Sequence, residues 1–548
     1  MAVGSSQVHG DARWMDAQDA AAIRLYEPAG VVLGQSKSGK LLYFNGDGHV
    51  MVFAPTGAGK GIGFVQPNLC EYAGSLVCLD PKGENAIVSA EHRRQKGQRV
   101  IVLDPFGMTG MKSDACNPLG ALTYADNENL GPWVESLADA LIVSHGEKDQ
   151  HWTDGAKKFV SFLMWWMVAH EQPQNRNLVR LFELAHGGYE LLAKIATVMS
   201  EGRSPEPEIS RVCIALGHWF LGRERREFSY FESIAMNNLG WVGDSVWSGV
   251  LAGNPSPPLP LKTSPAGMTV YLVLPFHRIQ RYQSWLRLMV ADLLGTIFDT
   301  PGAPTIPVLF LLDEAYAGLG KLKSLSDAMV TIRSAGARLA FIYQDIAQVN
   351  ELYGEAWQGQ IANSGVTLFW SVNDNKAAGF ISTRCGQKTS PVAGNPGGIG
   401  EPLIRVENVI GLPGDEIIAL FRNSPPAKFG RLDVRNDGRF KSKLAPNKTY
   451  GAAVAKTFTA RTNFVPVDLQ KVKVKNRRAD PDEEFEASSA PIASDRKEDL
   501  LSIADRAGVS LRELEALEKE FGPLMLRGAD VGYLNGRGTF EVLITVGD

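Results

Sequence analysis

The sequence predicts an open α/β sheet that carries a nucleotide-hydrolysing site. Three observations lead there. Short apolar strands recur and end in polar residues. A glycine-rich loop, Ala54-Pro55-Thr56-Gly57-Ala58-Gly59-Lys60-Gly61, contains a lysine near its end. The apolar run Val308-Leu309-Phe310-Leu311-Leu312 delivers two adjacent acids, Asp313 and Glu314. In open α/β sheets the ligand edge lies beyond the C-terminal ends of the strands. Two carboxylates at that edge suit metal-phosphate chemistry, one holding Mg²⁺ and the next polarising the attacking water. Alone, the pair would also suit a solvated strand end; the loop upstream favours the site.

The phosphate loop has a competitor. Gly34-Gln35-Ser36-Lys37-Ser38-Gly39-Lys40-Leu41 fits the glycine-lysine spacing literally, but it runs into a strand, Leu41 to Phe44, and then a turn signal. A phosphate loop must follow a strand and open a helix, so that backbone N–H groups face the phosphates. His49-Val50-Met51-Val52-Phe53 predicts that strand, and Lys60 to Tyr72 the helix. Pro67 is a blemish in it, because proline removes a backbone donor. Lys60 is thus expected on the β- and γ-phosphates of ATP. Backbone N–H groups of the stretch Thr56, Gly57, Ala58, Gly59, Lys60 and Gly61 form the cradle. Gly61 stands where a hydroxyl would normally bind Mg²⁺. Metal binding must then lean on Asp313, water and the phosphates.

Further strands extend the sheet. Ser75 to Leu79 ends in Asp80-Pro81-Lys82-Gly83-Glu84, and Arg99 to Leu103 ends in Asp104-Pro105-Phe106-Gly107. Asp80 and Asp104 are either ligand-edge acids or strand-terminating turn residues. From Thr123 to about Gly253 helical periodicity takes over, with Trp133, Trp152, Trp165, Trp166, Trp219, Trp241 and Trp247 expected as packing residues rather than base-stacking platforms. Strands return at Met268–Leu274, Val308–Leu312, Arg338–Tyr343 and Thr367–Trp370. A helical insertion therefore interrupts one α/β domain. The expected divisions are an N-terminal segment 1–29, nucleotide-binding parts 30–122 and 254–465, an all-α domain 123–253, and a C-terminal extension 466–548. The extension opens as a charged linker, continues as a helical unit near Arg496–Phe521 and ends in a strand near Thr539–Thr545.

Composition bounds the function. With 548 residues, two or three domains are expected. Apolar residues make up 44% and charged ones 21%, and the net charge is −4, so a generic polycation that coats nucleic acid is excluded and any DNA contact must be local. The five cysteines are scattered without a C-x-x-C pair, which offers no zinc framework and suits a reducing setting. The strongest apolar run, Phe159 to Ala169, is too short to span a membrane and predicts a buried helix. No signal peptide is evident.

From about Gly10 to Phe440 the chain resembles the type IV secretion coupling proteins, which belong to the RecA-like, ring-forming DNA translocases. Gly10-Asp11-Ala12-Arg13-Trp14, the Ala54–Gly61 loop, Leu79-Asp80-Pro81-Lys82-Gly83-Glu84, Asp104-Pro105-Phe106, Cys116-Asn117-Pro118-Leu119, Val273-Leu274-Pro275 and Leu312-Asp313-Glu314 carry the resemblance. It implies a RecA-like P-loop domain with an inserted all-α domain, and it tolerates glycine after the loop lysine. It also implies two further roles. Gln344 is similar to a polar sensor beside the γ-phosphate. Arg333 lies where the family places an arginine that reaches the neighbour's nucleotide; the alternative is a solvated residue, with Arg338 also near.

The resemblance implies an ATP- and Mg²⁺-dependent, DNA-stimulated motor that passes relaxase-bound DNA or effector proteins to a type IV secretion channel. Its partners would be DNA bound without sequence preference, channel components and other copies in a hexameric ring. The family sits at the cytoplasmic face of the inner membrane behind two transmembrane helices. This chain begins past them, so a soluble form, trimmed or naturally anchorless and able to stay monomeric without the anchor, is expected. Two other functions fit the residues: a docking scaffold that uses ATP without translocation, and a DNA pump unrelated to secretion.

Overall fold

The structure, a computed structural model, describes residues 9–143, 150–204, 206–251, 259–354, 357–392 and 395–447, and three strands near the C-terminus. The chain divides into two compact units, Met1–Val454 and Ala455–Asp548.

The first unit is built on one sheet of thirteen strands' worth of sequence less a separate hairpin. In chain order these are β1 (Val31–Gln35), β2 (Leu41–Phe44), β3 (His49–Phe53), β4 (Leu76–Asp80), β5 (Arg99–Leu103), β6 (Met268–Val273), β7 (Val308–Leu312), β8 (Ala337–Tyr343), β9 (Ser364–Phe369), the hairpin β10 (Gln387–Val392) and β11 (Asn395–Pro402), β12 (Glu416–Phe421) and β13 (Ala427–Gly430). The main sheet has eleven strands in the order β2-β1-β13-β12-β9-β3-β8-β7-β4-β6-β5. From β9 to β5 every neighbouring pair is parallel. From β9 outward through β12, β13, β1 and β2 every pair is antiparallel. The central strands β3, β4, β7 and β8 are buried at every position. Helices cover both faces of a parallel sheet, so such strands are continuously apolar rather than alternating.

The order has one consequence for the site. β8 lies between β3 and β7, so the phosphate loop, the end of β8 and the Asp313-Glu314 pair emerge side by side at one edge. The competing loop 34–41 is the turn of the β1–β2 hairpin on the far end of the sheet, where Ser36 N donates to Lys40 O at 2.8 Å. Its tight turn needs the left-handed φ of +79° at Gly39.

The helix after the phosphate loop differs from expectation. It opens as a π-helical turn, Gly61–Val65, and becomes α-helical only over Gln66–Glu71. Gln66 N closes the π turn on Gly61 O, and Pro67 follows in the first turn of the α segment. An N–H is dispensable in a helix's first turn, so the proline is accommodated.

Between β5 and β6 the chain is helical, with long helices at Asn127–Leu141, Gln150–His170, Pro207–Leu221 and Arg225–Leu239. These helices share one apolar core with a face of the sheet, from Met51 and Phe53 through Trp285 to Phe159 and Phe228. The shared core makes the insertion continuous with the α/β layer. Trp133, Trp165, Trp241 and Trp247 are buried, and Trp152, Trp166 and Trp219 pack on the core half-buried. The helix Gln283–Asp299 joins the two parts. Its buried Arg287 donates to the carbonyls of Asp139 and Ala140 at the end of helix Asn127–Leu141, and to those of Leu319 and Lys321 beyond the carboxylate pair. All five cysteines are buried and unpaired. Among the described residues no helix is long and apolar enough to cross a membrane.

In the second unit, β14 (Leu524–Arg527), β15 (Asp530–Leu534) and β16 (Phe540–Thr545) form an antiparallel sheet in that order. The expected linker and the helical unit near 496–521 lie outside the described residues.

Candidate nucleotide site

Buried β3 ends at Phe53, and Ala54 N donates to Tyr343 O at the end of β8. The loop then turns through left-handed glycines, Gly57 at φ +81° and Gly59 at φ +80°, conformations that cost other residues free energy. A Cβ placed at Gly57 or Gly61 would meet nothing within 4 Å, so this side of the loop is open. Lys60 is buried; its Nζ donates to Ala54 O at 3.0 Å and stands 3.9 Å from Glu314 Oε1. Thr56 is exposed at the loop's crest.

The carboxylate pair ends β7. Asp313 Oδ1 accepts from Glu314 N at 3.0 Å. Burial pushes the Asp313 carboxyl up to about 7, the Glu314 charge adds to that, and the Lys60 ammonium opposes it. Glu314 takes the left-handed conformation, φ +53° and ψ +41°, as it caps the helix Ala315–Leu319. For a non-glycine residue this conformation is unfavourable and marks functional sites. Gln344, just past β8, donates from Nε2 to Glu314 Oε2 at 3.1 Å, and its own N–H is held by Gln348 Oε1 at 2.9 Å. Lys60, Glu314 and Gln344 thus converge at one point, with Asp313 beside them.

Other expected residues lie elsewhere or do other things. Arg333 sits in the turn before β8, at the opposite edge of the sheet from its own chain's loop. Its side chain is 55% exposed and pairs with the still more exposed Asp47 at 3.4 Å. The structure therefore does not bring Arg333 into the site of its own chain. Asp80 caps the helix Glu84–Gln95, accepting from Ala86 N at 2.8 Å and Asn85 Nδ2 at 3.3 Å. Burial raises its carboxyl to about 6. Asp104 accepts from Met108 N, Thr109 N and Thr109 Oγ1, organising its own loop. Both acids are turn-building residues.

Two residues of the site carry no sequence signal. Trp370, fully buried after β9, donates from Nε1 to Ala58 O at 2.9 Å and steadies the crest of the loop. Arg431, after β13, lies along the flank of the loop opposite Glu314 and Gln344. Trp370 arrives from parallel β9 and Arg431 from the antiparallel strands beyond it, and no motif announces either.

The residues fit a nucleotide with Mg²⁺. The loop is open where phosphates would enter, a lysine lies at its mouth, and a carboxylate pair is adjacent. Among the described residues no cluster of three or more metal-ligating side chains occurs. Mg²⁺ at phosphate sites commonly takes one or two carboxylates with phosphate and water, which this pair can supply.

The chain is similar to known proteins. Residues 13–201 match the family described as type IV secretory system conjugative DNA transfer, and residues 307–395 the one described as the TraM recognition site of TraD and TraG. The conjugal transfer protein TraG of Agrobacterium fabrum is 26% identical over 474 residues, covering 78% of this chain and 70% of that protein. The VirD4 protein of Rhizobium radiobacter is 25% identical, covering 79% of this chain and 65% of that one. The type IV secretion system-coupling protein VirD4 of Bartonella henselae is 24% identical over 77% of this chain and 72% of its own. Among solved structures, the plasmid coupling protein TrwB with the ATP analogue ADPNP superposes at a TM-score of 0.58 and 15% identity, covering 77% of this chain and 93% of that one. That likeness is one of fold.

Proposed function

The chain belongs to the type IV secretion system coupling proteins of conjugative transfer, and from that premise we propose that it hydrolyses ATP to pass substrates into a secretion channel. The convergence of Lys60, Glu314 and Gln344 at the open face of the loop carries this reading. Lys60 contacts the β- and γ-phosphates, and the N–H groups from Gly57 to Gly61 cradle them. Asp313 would hold Mg²⁺ through water, which supplies charge neutralisation on the phosphates. Glu314 accepts the proton of the attacking water, and Gln344 orients Glu314 and senses the γ-phosphate. A structural relative solved with ADP and Mg²⁺ supports this choice of ligands. Arg333, exposed on the far edge beside Asp47, would serve a neighbouring copy's nucleotide in a hexameric ring. DNA is the sequence-independent partner in the ring's pore, and relaxases or effectors are the recruited substrates.

The test is Glu314→Gln, with ATP binding and phosphate release measured together. Binding is retained and hydrolysis lost if Glu314 is the base; undiminished hydrolysis removes it from that role. The TraM-recognition description of residues 307–395 favours a second reading, a docking scaffold without translocation. DNA-stimulated ATPase activity distinguishes the motor from the scaffold.

A further inference from the structure

We propose that Arg431 is a nucleotide-binding residue that contacts the polyphosphate in its own chain. The inference rests on the nucleotide site proposed above and adds a cation to it. Arg431 follows β13, whose C-terminal end lies at the same edge as the loop, because β12 is antiparallel to both β9 and β13. A Cβ built on Gly59 would stand 2.6 Å from Arg431 Nη1, and one on Gly63 would stand 3.0 Å from Arg431 Cγ. The arginine side chain therefore lies along the loop from its second left-handed glycine to the first helical turn. A side chain at 59 or 63 would press on it, and Gly59 is also left-handed at φ +80°.

Backbone carbonyls hold the guanidinium, and, alongside the hydrogen bonds from Arg435, its charge also helps keep the nearby Asp433 carboxyl below its usual range without a direct ion pair. Nε donates to Gly414 O at 3.1 Å and Nη1 to Leu432 O at 3.2 Å. These bonds use two of the five N–H donors of a guanidinium. Among the described residues no carboxylate forms an ion pair with it. Asp433, two residues on, gives its two oxygens to Arg435 Nε at 2.9 Å and Nη2 at 2.6 Å. An arginine fixed by backbone carbonyls, with donors to spare beside a phosphate loop, is set up for charge-assisted bonds to phosphate oxygens.

Position separates Arg431 from the γ end. Glu314 and Gln344 approach Lys60 from the β7–β8 side and mark the γ end. In such loops the polyphosphate runs from there over the backbone N–H groups toward the first turn of the helix. The Arg431 guanidinium stands beside Gly59 on the β9 side, away from that γ end, and only its stem packs on the first helical turn at Gly63. The chemical class of ligand is a nucleoside di- or triphosphate.

The full chain carrying Arg431→Gln tests this, since glutamine keeps much of the stem that packs on Gly63. Fluorescent-ADP titration should show roughly ten- to a hundredfold weaker binding than wild type, the range for losing charge-assisted bonds. Inorganic tripolyphosphate, used as competitor, should lose affinity by a similar factor, and Arg431→Lys should recover part of both. Equal ADP affinity in wild type and Arg431→Gln overturns the proposal. A loss for ADP with none for tripolyphosphate also overturns it, since the contact would then be to sugar or base. Lys60→Ala run alongside separates the two levels: a wild type that binds neither ligand defeats the nucleotide-site reading itself, whereas a wild type that binds, is weakened by Lys60→Ala and is matched by Arg431→Gln defeats only this inference.

Discussion

Glu314 shows what a single residue contributes here. Its left-handed backbone turns the carboxylate back toward Lys60 and Gln344 instead of letting it run on into solvent. Lys60 and Lys40 show the converse, the same residue type in two loops of similar spelling. Lys60 is buried at the mouth of the loop, while Lys40 is exposed on a hairpin. Lys60→Ala should weaken ATP binding roughly tenfold or more, by loss of charged contacts to phosphate. Lys40→Ala should leave ATP affinity unchanged in the same titration. The opposite ranking would relocate the phosphate loop.

His49 makes a separate prediction about pH. It is buried at the start of β3, with Nδ1 accepting from Leu339 N at 3.1 Å and Nε2 donating to Met329 O at 2.9 Å, so the neutral ring is the bonded form. Burial lowers its pKa from 6.5 to about 4. The unfolded chain therefore takes up this proton first as pH falls. His49's contribution is whole above about pH 6.5 and is lost progressively down to about 4, amounting to about 3 kcal/mol. Asp80 and Asp292, raised by burial to about 6 and about 7, act with the opposite sign. The measurement is thus a difference: urea unfolding at pH 7.5 and pH 4.5 for wild type and His49→Gln. The variant should lose less stability between the two; an identical loss would mean that His49 titrates normally when folded.

At the scale of elements, the helix Gln283–Asp299 decides how the helical insertion meets the sheet. Trp133 lies across Gly295, with a Cβ there only 2.2 Å from Trp133 Cη2, and Trp133 Nε1 donates to Asp299 Oδ2 at 2.6 Å. Gly295→Ala would favour the isolated helix by about 1 kcal/mol. The overpacking against a buried indole costs about 1–3 kcal/mol and should win. Thermal unfolding should therefore show a lower Tm for Gly295→Ala. A raised Tm would mean that the indole moves aside freely.

For the molecule as a whole, the question is the ring. Arg333 lies on the sheet edge opposite its own loop, so any action on a nucleotide must be on a neighbour's. ATPase activity per chain should then rise with protein concentration, and further with DNA that templates assembly. Arg333→Ala and Glu314→Gln should each be inactive, yet a mixture should recover activity, because one interface pairs an intact base with an intact arginine. Loss of such an arginine costs ~10³-fold or more, so recovery stands clear of background. Flat specific activity and no recovery would leave the docking scaffold as the better account.

What the sequence determined by itself is local: the strands of the parallel half, the loop Ala54–Gly61 and the acids at the end of β7. Each is a contiguous pattern, and strand-loop-helix context favours the second of the two lysine loops. The π turn after Lys60 was not legible, because Pro67 looks like a fault until the hydrogen bond from Gln66 to Gly61 is known. The rest depended on pairing between distant segments. Placing β8 between β3 and β7 brings Gln344 to Glu314 across 30 residues, and the bond from Trp370 to Ala58 spans 312. Arg431 reaches the loop only because β12 and β13 add antiparallel strands beside β9. Strand order is set by burial and hydrogen bonding summed over the whole sheet, and no short stretch of residues encodes that sum. The tertiary structure alone therefore decided which flank of the loop faces the carboxylates and which faces an arginine.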